Sequence, residues 1–251
     1  MSPTLRLIGR SIKHYETVDS TNSLAASFAS DPENNGLVVT ASAQSAGRGQ
    51  YDRIWQAPPE SSILMSVLLF PSAGIRRPSV LTAWAAVSVC ETLRQTAGLE
   101  ARIKWPNDIL VVGKKVCGIL CEGGARHIVA GIGLNVNQSA EDFERMELPD
   151  AASLSLCAGR VFDVGEVTRQ LIAQLDFEYD RLLHGEITVL EVDWKWRIGM
   201  VGKSVVVERT DGAALHGRLV EMSFAGIELA CGGEMISIVP EAIRQISENW
   251  K

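Results

Sequence analysis

The fold of this chain is indicated most directly by residues 101–122, which read ARIKWPNDILVVGKKVCGILCE. The segment contains short apolar pieces that are separated by Pro106-Asn107-Asp108 and by Gly113, all typical turn residues. The predicted strands are residues 101–105, 109–112 and 115–122. Because turns this short join strands that run in opposite directions, we expect neighbouring antiparallel strands here.

The flanking segments continue this pattern and add helices. Further strands are predicted at residues 11–17, 37–43, 63–70 and 127–136. Helices are predicted after Asp19-Ser20, whose side chains offer N-cap oxygens, and from Pro78 to Gly98, which follow the usual order of proline at a helix start and glycine after its end. Asp163 and Glu166 form a capping-box pattern at the start of a third helix, which should end near residue 184. A fourth helix is predicted over residues 187–197, and the polar segment 137–151 is expected to be a loop.

Beyond residue 197 the composition changes to short β segments that are divided by glycine-containing turns. This pattern is typical of a small barrel. We therefore expect an α+β fold in two domains. Residues 1–197 would form a mixed, largely antiparallel sheet with helices, and residues 198–251 a small all-β domain.

The bulk composition excludes several classes of function. The chain has 251 residues, a formal net charge of -6 and a pI near 5.3, which disfavours a broad electrostatic hold on nucleic acid. Its longest apolar run, residues 63–70, is far too short to cross a bilayer as a helix. The N-terminus has no long apolar core of a secretory signal. We therefore expect a cytoplasmic protein that binds neither nucleic acid nor a membrane.

The cysteines indicate reduced thiols rather than a disulfide framework. There are five of them, an odd number, scattered through otherwise apolar segments. Cys117 and Cys121 have the spacing of half a metal site, but no second pair accompanies them and the four histidines are widely dispersed. No resident metal is therefore predicted.

Polar groups that could carry chemistry cluster in four places, and each also has a simpler structural explanation. Gly47-Arg48-Gly49 could present backbone N–H groups and a fixed cation to an anionic ligand, or it could be only a flexible turn. In the turn from Lys104 to Asp108, Trp105 could fill core space while Lys104 pairs with Asp108.

The other two places lie on predicted strands. Lys115 is followed by Gly118, and a glycine inside a strand indicates either close approach of a ligand or a β-bulge beside a solvated lysine. The segment 131–137, GIGLNVN, ends a strand with two amides. It is not a dinucleotide fingerprint, because no helix pattern follows it and a third glycine is missing.

In their joint order and spacing these segments resemble the biotin–protein ligases over nearly the whole chain. The matching positions are Ser20-Thr21-Asn22, Gln44, Gly47-Arg48-Gly49, Trp55, Lys104-Trp105-Pro106-Asn107-Asp108, Lys115 with Gly118-Ile119-Leu120, and Gly131 to Asn137. The resemblance implies a central domain related to class II aminoacyl-tRNA synthetases and lipoate ligases, followed by an SH3-like barrel. It also implies ATP-dependent formation of biotinyl-5'-AMP and transfer of biotin to a lysine of a biotin carboxyl carrier protein or domain.

The resemblance further implies a set of site residues. Arg48 and Lys115 would be catalytic, because they neutralise charge where a carboxylate attacks an anionic α-phosphate. The implied biotin-binding residues are Ser20, Thr21, Asn22, Gln44, Gly47, Arg48, Gly49, Gln50, Lys115 and Gly118. The implied ATP-binding residues are Arg48, Arg53, Trp55, Lys104, Asn107, Lys115 and Asn135. ATP with Mg²⁺ and biotin would be the small molecules used, with no permanently bound cofactor.

The chain departs from a common family pattern in two ways. Many relatives carry Arg-Arg-Gly-Arg after the Gly-Arg-Gly triplet, whereas this sequence has Gln50-Tyr51-Asp52-Arg53. We therefore expect weaker retention of the adenylate than in the more basic loops. The catalytic pattern also begins within about twenty residues of Met1, so we expect the short form of the ligase, without an N-terminal DNA-binding domain and without operator binding.

Two alternatives to this function stay open at the level of sequence. A lipoate-type acyl-adenylate ligase could use a related scaffold, and a non-catalytic biotin-binding module could carry the altered loop. Retention of Arg48 and Lys115 argues against the second alternative. The sequence does not specify the acceptor carboxylase, the contribution of the barrel or whether the chain forms a homodimer.

Overall fold

A seven-stranded sheet forms the centre of the protein in the computed structural model, which describes residues 5–248. Its strands follow the order β1-β2-β3-β7-β6-β5-β4. The strands are β1 (Ile12–Val18), β2 (Val38–Gln44), β3 (Ser62–Leu69), β4 (Ala101–Lys104), β5 (Asp108–Val111), β6 (Lys114–Gly123) and β7 (Ile128–Asn135). Only β1 and β2 run parallel, so the predicted, largely antiparallel sheet is confirmed.

Six α-helices accompany the two sheets in the part of the chain that is described. They are α1 (Thr21–Ser27), α2 (Pro78–Ala97), α3 (Ala140–Arg145), α4 (Leu154–Ala158), α5 (Val164–Leu183) and α6 (Ile187–Ile198). The predicted limits of α2 are confirmed: Pro78 occupies its first turn and Gly98 follows it in the left-handed region at φ 67°. Glycine fits there because the missing Cβ removes the steric penalty of that conformation.

The central sheet is covered on both faces, which explains why β3 reads as a nearly continuous apolar run. Ile63, Met65, Val67 and Leu69 face the large core that includes α2 and α5. Leu68 points to the opposite face, into a smaller cluster with Ala25 of α1. Since successive side chains of a strand alternate between faces, a strand buried on both sides needs apolar residues at nearly every position.

Helices α2 and α5 are fixed against each other by Trp84. Its indole Nε1 donates a hydrogen bond to the Leu175 carbonyl oxygen at 3.0 Å, and its ring lies 5.5 Å from the ring of Tyr179. Trp84 is fully buried. A buried tryptophan with a satisfied N–H contributes both apolar area and direction, so this contact fixes how the two long helices pack.

Several details differ from the expectations drawn from sequence. Ser20 occupies the N-cap position of α1, but its side chain makes no capping hydrogen bond. Asp163 caps α5 by accepting from the Glu166 N–H at 3.0 Å, whereas the Glu166 carboxylate accepts instead from the Gln170 side chain at 2.7 Å, so the capping box is half formed. The expected loop 137–151 contains α3, which has a complete capping box between Ser139 and Asp142.

The C-terminal strands form a separate five-stranded antiparallel sheet in the order β11-β10-β9-β8-β12. They are β8 (Ser204–Arg209), β9 (Ala214–Ser223), β10 (Gly226–Cys231), β11 (Glu234–Ile238) and β12 (Ile243–Glu248). The α+β class is confirmed, and this sheet is consistent with the expected SH3-like domain. The division between residues 197 and 198 stays a prediction, and residues 1–4 and 249–251 lie outside the described residues.

Helix α6 connects the two sheets through aromatic contacts. The Trp194 ring lies 5.6 Å from the ring of Trp105, beside the central sheet, and 5.2 Å from Phe224, which follows β9. The Phe224 N–H also donates to Glu191 of α6 at 2.9 Å. These contacts pack the C-terminal sheet close to the turn that contains Trp105.

The structure also bears on the membrane, metal and cysteine expectations. No helix within residues 5–248 is long and apolar enough to span a membrane. In the same residues no group of three or more His, Cys, Asp or Glu side chains is placed to hold a metal ion. All five cysteines are free thiols, and burial raises the pKa of Cys90 to about 12 and that of Cys121 to about 11.

Candidate active site

A cavity of about 310 Å³ opens over β6 and β7, on the face of the sheet opposite the large core, and contains nearly all the predicted site residues. Those that line it are Ser20, Thr21, Asn22, Gln44, Arg48, Gly49, Gln50, Arg53, Trp55, Lys104, Asn107, Lys115, Gly118 and Asn135. Gly47 lies behind the lining: a Cβ there would be 2.9 Å from the Gln44 side-chain nitrogen. The cavity thus collects residues that are more than one hundred positions apart in the chain.

The floor of the cavity is made of glycine so that an indole can lie on it. Gly118 of β6 and Gly133 of β7 are paired across the sheet, and the Trp55 ring lies against both. A Cβ on Gly118 would be 2.9 Å from the ring, and one on Gly133 would be 2.7 Å from another ring atom. The buried Trp55 Nε1 has no hydrogen-bond partner among residues 5–248. Glycine in these strands therefore serves close approach, as the sequence suggested for Gly118.

One end of the cavity is a network of uncharged hydrogen-bonding groups. The side-chain oxygen of Gln44 accepts from the Thr21 N–H at 2.7 Å, and the Thr21 hydroxyl lies 2.8 Å from the hydroxyl of Ser66. Ser66, fully buried on β3, also donates to the Asn22 side-chain oxygen at 2.6 Å. A Cβ on Gly131 would be 2.9 Å from Asn22, so that glycine makes room for the amide. The network holds polar side chains in fixed directions at the cavity wall.

Arg48 is presented by a tight loop whose two arms pair with each other. Arg48 and Ile54 form an antiparallel bridge, the Gly49 N–H donates to the Arg53 carbonyl at 2.7 Å, and Trp55 N–H donates to Gly47 at 3.0 Å. The Arg48 guanidinium lies 2.9 Å from the Glu122 carboxylate of β6. Both side chains are partly exposed, so this ion pair is weak and the guanidinium can exchange it for another anion.

Lys115 enters the cavity from the start of β6. Its amine lies 2.6 Å from the Asp108 carboxylate and 5.8 Å from the centre of the Trp55 ring. The pairing of β5 with β6 shifts between Ile109 and Leu110, so a bulge does stand beside the lysine. Asp108 thus pairs with Lys115 and not with Lys104, although Lys104 is its cross-strand neighbour. The bulge does not argue against a binding role for Lys115, because bulges often redirect a side chain next to an active site.

Two predicted site amides are tied to the backbone. The Asn107 side chain donates to the Ile119 carbonyl oxygen at 2.6 Å, and Asn135 donates to the Ala152 carbonyl oxygen at 3.1 Å. Asn135 also accepts from Gln138 at 2.9 Å. These hydrogen bonds fix the turn after β4 and the end of β7, so both residues shape the cavity wall.

The structure adds residues that the sequence interpretation missed. Ser66 connects the polar network, Glu122 holds both Arg48 and the Asn22 amide, and Arg244 reaches the cavity from β12 of the C-terminal sheet. Ser66 had a visible signal, since it is the lone polar residue in the predicted apolar strand 63–70. Arg244 had none, because nothing in its local sequence indicates that the second sheet contributes to the site.

Comparison with known proteins identifies the family. The sequence model described as the biotin/lipoate A/B protein ligase family matches residues 15–139. A bifunctional ligase/repressor of Bacillus subtilis is 33% identical over 230 residues, covering 89% of this chain and 70% of the relative. The chain belongs to this ligase family. A biotin--[acetyl-CoA-carboxylase] ligase of Mycobacterium tuberculosis is 32% identical over 209 residues, covering 79% of this chain and 74% of that protein.

Solved structures of the ligase family share the fold. A biotin protein ligase from Aquifex aeolicus was solved in complex with biotin and ATP. It aligns with this protein with a TM-score of 0.81, and the alignment covers 96% of this chain and 100% of the Aquifex chain. Its sequence identity is 23%, so this likeness concerns the fold. The overlap extends across both sheets, because it includes nearly every described residue.

Proposed function

We propose that the chain is an ATP-dependent biotin–protein ligase. It joins biotin and ATP into biotinyl-5'-AMP and then transfers biotin to a lysine of a biotin carboxyl carrier domain. The observation that carries this proposal is that Arg48 and Lys115 line the same cavity, and that an uncharged polar pocket lies beside them. Membership of the ligase family and relatives that are biotin ligases support it.

The first step brings two anions together, and the cations of the cavity meet that requirement. A carboxylate oxygen of biotin forms a bond to the α-phosphorus of ATP, and the bond to pyrophosphate breaks. Negative charge on the carboxylate and the phosphate opposes the approach, so fixed cations lower the barrier most where the two groups meet. Lys115, held in place by Asp108, and Arg48 on the opposite loop are positioned for that task.

The uncharged end of the cavity suits the ureido group of biotin. A ureido group has two N–H donors and one carbonyl acceptor, and it binds best to neutral partners whose directions are already fixed. Thr21, Asn22 and Gln44 supply such partners, with Ser20 beside them. Gly118 allows the Trp55 indole to lie on the floor of the cavity, and in this proposal the ring system of biotin packs beside that indole.

The nucleotide would occupy the remaining part of the cavity. Trp55 offers a flat aromatic face and an unpartnered N–H, while Lys104 and Arg53 add positive charge near the phosphates. The amides of Asn107 and Asn135 donate to backbone carbonyl oxygens. In this proposal they therefore contribute to ATP binding indirectly, by fixing the shape of the cavity wall. Gly49 and Gln50 lie on the loop above the junction of the two substrates.

In the second step the neutral amine of the acceptor lysine attacks the acyl carbon. A C–N bond forms, the bond between acyl carbon and AMP oxygen breaks, and the nitrogen loses a proton. The mixed anhydride hydrolyses in water, so the loop from Gln44 to Trp55 must stay over it until the acceptor arrives. The expectation that the segment Gln50-Tyr51-Asp52-Arg53 retains the adenylate less well than arginine-rich loops stays a prediction, measured as the rate of adenylate release.

Magnesium enters this scheme as part of the ATP substrate. Mg²⁺ normally keeps several waters and binds through substrate phosphates with one or two carboxylates, and Asp108 is a carboxylate that lines the cavity. Bound in this way, it needs no dedicated cluster of protein ligands. The ion supplies charge on the phosphates, and Lys115 and Arg48 supply the charge of the protein.

The decisive experiment is incubation with MgATP, labelled biotin and a purified carrier domain. We expect covalent label on the carrier lysine, lost in Lys115→Ala and retained in Lys114→Ala. Lys114 is a fair control because it is the adjacent lysine, half-exposed, and donates to the Pro149 carbonyl oxygen away from the cavity. Pyrophosphate release with lipoate in place of biotin would favour the lipoate-type ligase, and biotin binding without transfer would favour a binding module.

A further inference from the structure

The C-terminal sheet contacts the loop above the cavity at one pair of side chains. The Arg244 guanidinium of β12 lies 5.4 Å from the centre of the Tyr51 ring, at the tip of the loop from Gln44 to Trp55. Arg244 and its neighbour Gln245 also line the cavity. A cation within about 6 Å of an aromatic ring centre is attracted to the ring face. The loop is therefore held from two sides, by β6 through Glu122 and by β12 through Arg244.

Arg244 stands at an irregularity that aims its side chain. Along the pairing of β12 with β8, Ile243 is opposite Arg209 and Gln245 is opposite Glu208, so Arg244 is the extra residue. Ile243 and Ile246, which flank Arg244 on β12, are buried in the large hydrophobic core and fix the strand there. A bulge with an extra residue bends the strand and redirects that side chain, a device found next to functional sites. The backbone bulge at Arg244 therefore directs its side chain toward the loop.

Tyr51 is also held in an unusual conformation. Its φ of 55° and ψ of 47° lie in the left-handed region, which bulky side chains rarely adopt. Hydrogen bonds on both sides of it, from Gly49 to Arg53 and from Arg53 to Gln50, hold the turn. The ring is about half exposed, so it gains little from burial. A second cleft of about 200 Å³ opens between the loop tip and the C-terminal sheet, lined by Tyr51 and Ile243 among others.

We propose that Arg244 is a positioning residue that holds the loop over the cavity through Tyr51. Under the proposed function, residues 44–55 form the loop that covers the adenylate. A contact between its tip and the second sheet stabilises the closed arrangement and slows release of the intermediate. This proposal rests on the proposed ligase activity, and it assigns the C-terminal sheet a role in retention.

The test is a double-mutant cycle on adenylate release. The protein is loaded with biotin and MgATP, freed of excess substrate, and followed for release of labelled biotinyl-5'-AMP without acceptor. An exposed cation–aromatic contact corresponds to a change of about two- to fivefold in an equilibrium or rate. We expect Arg244→Gln and Tyr51→Leu each to speed release by that factor, and the double variant to release no faster than either single variant.

Conservative variants separate the contact from general damage. Tyr51→Phe keeps the ring and Arg244→Lys keeps the charge, so both should retain slow release. Arg218→Gln on β9 is the matched control, because this exposed arginine lies on the same sheet and donates to the Gly202 carbonyl oxygen. Effects of Arg244→Gln and Tyr51→Leu that multiply in the double variant would overturn the proposal. So would a rise in KM for ATP caused by Arg244→Gln in the Tyr51→Leu background, which would assign Arg244 to the nucleotide itself.

Limited trypsin cleavage after Arg53 gives a readout that does not depend on catalysis. We expect Arg244→Gln to be cut there about two- to fivefold faster than the unmodified protein, as quantified by mass spectrometry of the fragments. If the protein makes no biotinyl adenylate, the proposed function fails while this cleavage difference still reports on the contact. Equal cleavage rates, with adenylate formation intact, would reject the contact and leave the ligase assignment standing.

Discussion

Adding one methyl group at Gly133 tests the relation between the cavity floor and the Trp55 indole. A Cβ at this position would lie 2.7 Å and 2.9 Å from two atoms of the ring, closer than real Cβ contacts allow. Gly133 lies in the middle of β7, paired with Gly118 on one side and Leu64 on the other, so its backbone cannot retreat easily. The indole must therefore move or the sheet must distort.

The size of the effect follows from overpacking. Forcing extra atoms into a packed site costs about 1–3 kcal/mol. For a protein of this size about 1 kcal/mol lowers Tm by roughly 2–4 °C, so Gly133→Ala should lower it by about 2–12 °C. If the indole moves away and about 1.4 kcal/mol of nucleotide binding is lost, KM for ATP rises about tenfold. Biotin-dependent pyrophosphate release and thermal unfolding measure the two effects.

Two comparisons make this prediction sharp. Gly74→Ala is the control, since a Cβ there would meet no atom within 4 Å. In a Trp55→Leu background the added methyl group has less to displace, so Gly133→Ala should cost clearly less than in the intact protein. The reasoning is refuted if Gly133→Ala matches Gly74→Ala in both Tm and KM, or if its cost is unchanged after Trp55 has been shortened.

Three further predictions concern the polar network, a buried thiol and the metal. Ser66→Ala removes the hydroxyl that supports Thr21 and Asn22, so KM for biotin should rise about fivefold, for a loss of about 1 kcal/mol, while KM for ATP stays constant; an equal rise in both would contradict this. Because burial raises the pKa of Cys90 to about 12, only about one of these thiols in ten thousand is ionised at pH 8; iodoacetamide should modify it rapidly only after denaturation, as peptide mapping would show, and fast labelling of the folded protein would count against its burial. EDTA should abolish pyrophosphate release without changing the Tm of the protein alone, since no group of three or more His, Cys, Asp or Glu side chains within residues 5–248 is placed to hold a metal ion; a lower Tm would reveal a resident ion.

Much of the fold could be predicted from sequence because its signals are local. The apolar run of β3, the proline and glycine at the ends of α2, and the short turns around β5 all act within a few residues. Helix α3 was missed because its capping box lies in a polar segment with little apolar periodicity. Ser20 makes no side-chain capping bond, and the first N–H of that helix, on Thr21, is bound instead by the side chain of Gln44 at the end of β2, a contact between distant segments that local sequence does not show.

In the candidate site, too, some features follow from the local sequence and others only from tertiary contacts. Its polar clusters could be found in the sequence, and the roles of their residues were implied by the resemblance to the biotin–protein ligases. Sequence could not show that Asp108 pairs with Lys115 instead of Lys104, or that Ser66 links Thr21 to Asn22. Such partners are chosen by strand register and by which face of the sheet each side chain occupies.

The sequence by itself determined the α+β class, the strands and long helices, and the set of groups that can carry ligase chemistry. Only the tertiary structure decided that β12 of the second sheet contributes Arg244 to the cavity and that the Trp55 ring lies on Gly118 and Gly133. The physical reason is range: turns, caps and apolar periodicity act between near neighbours, whereas a binding cavity is made where distant segments are packed together by the burial of a shared core.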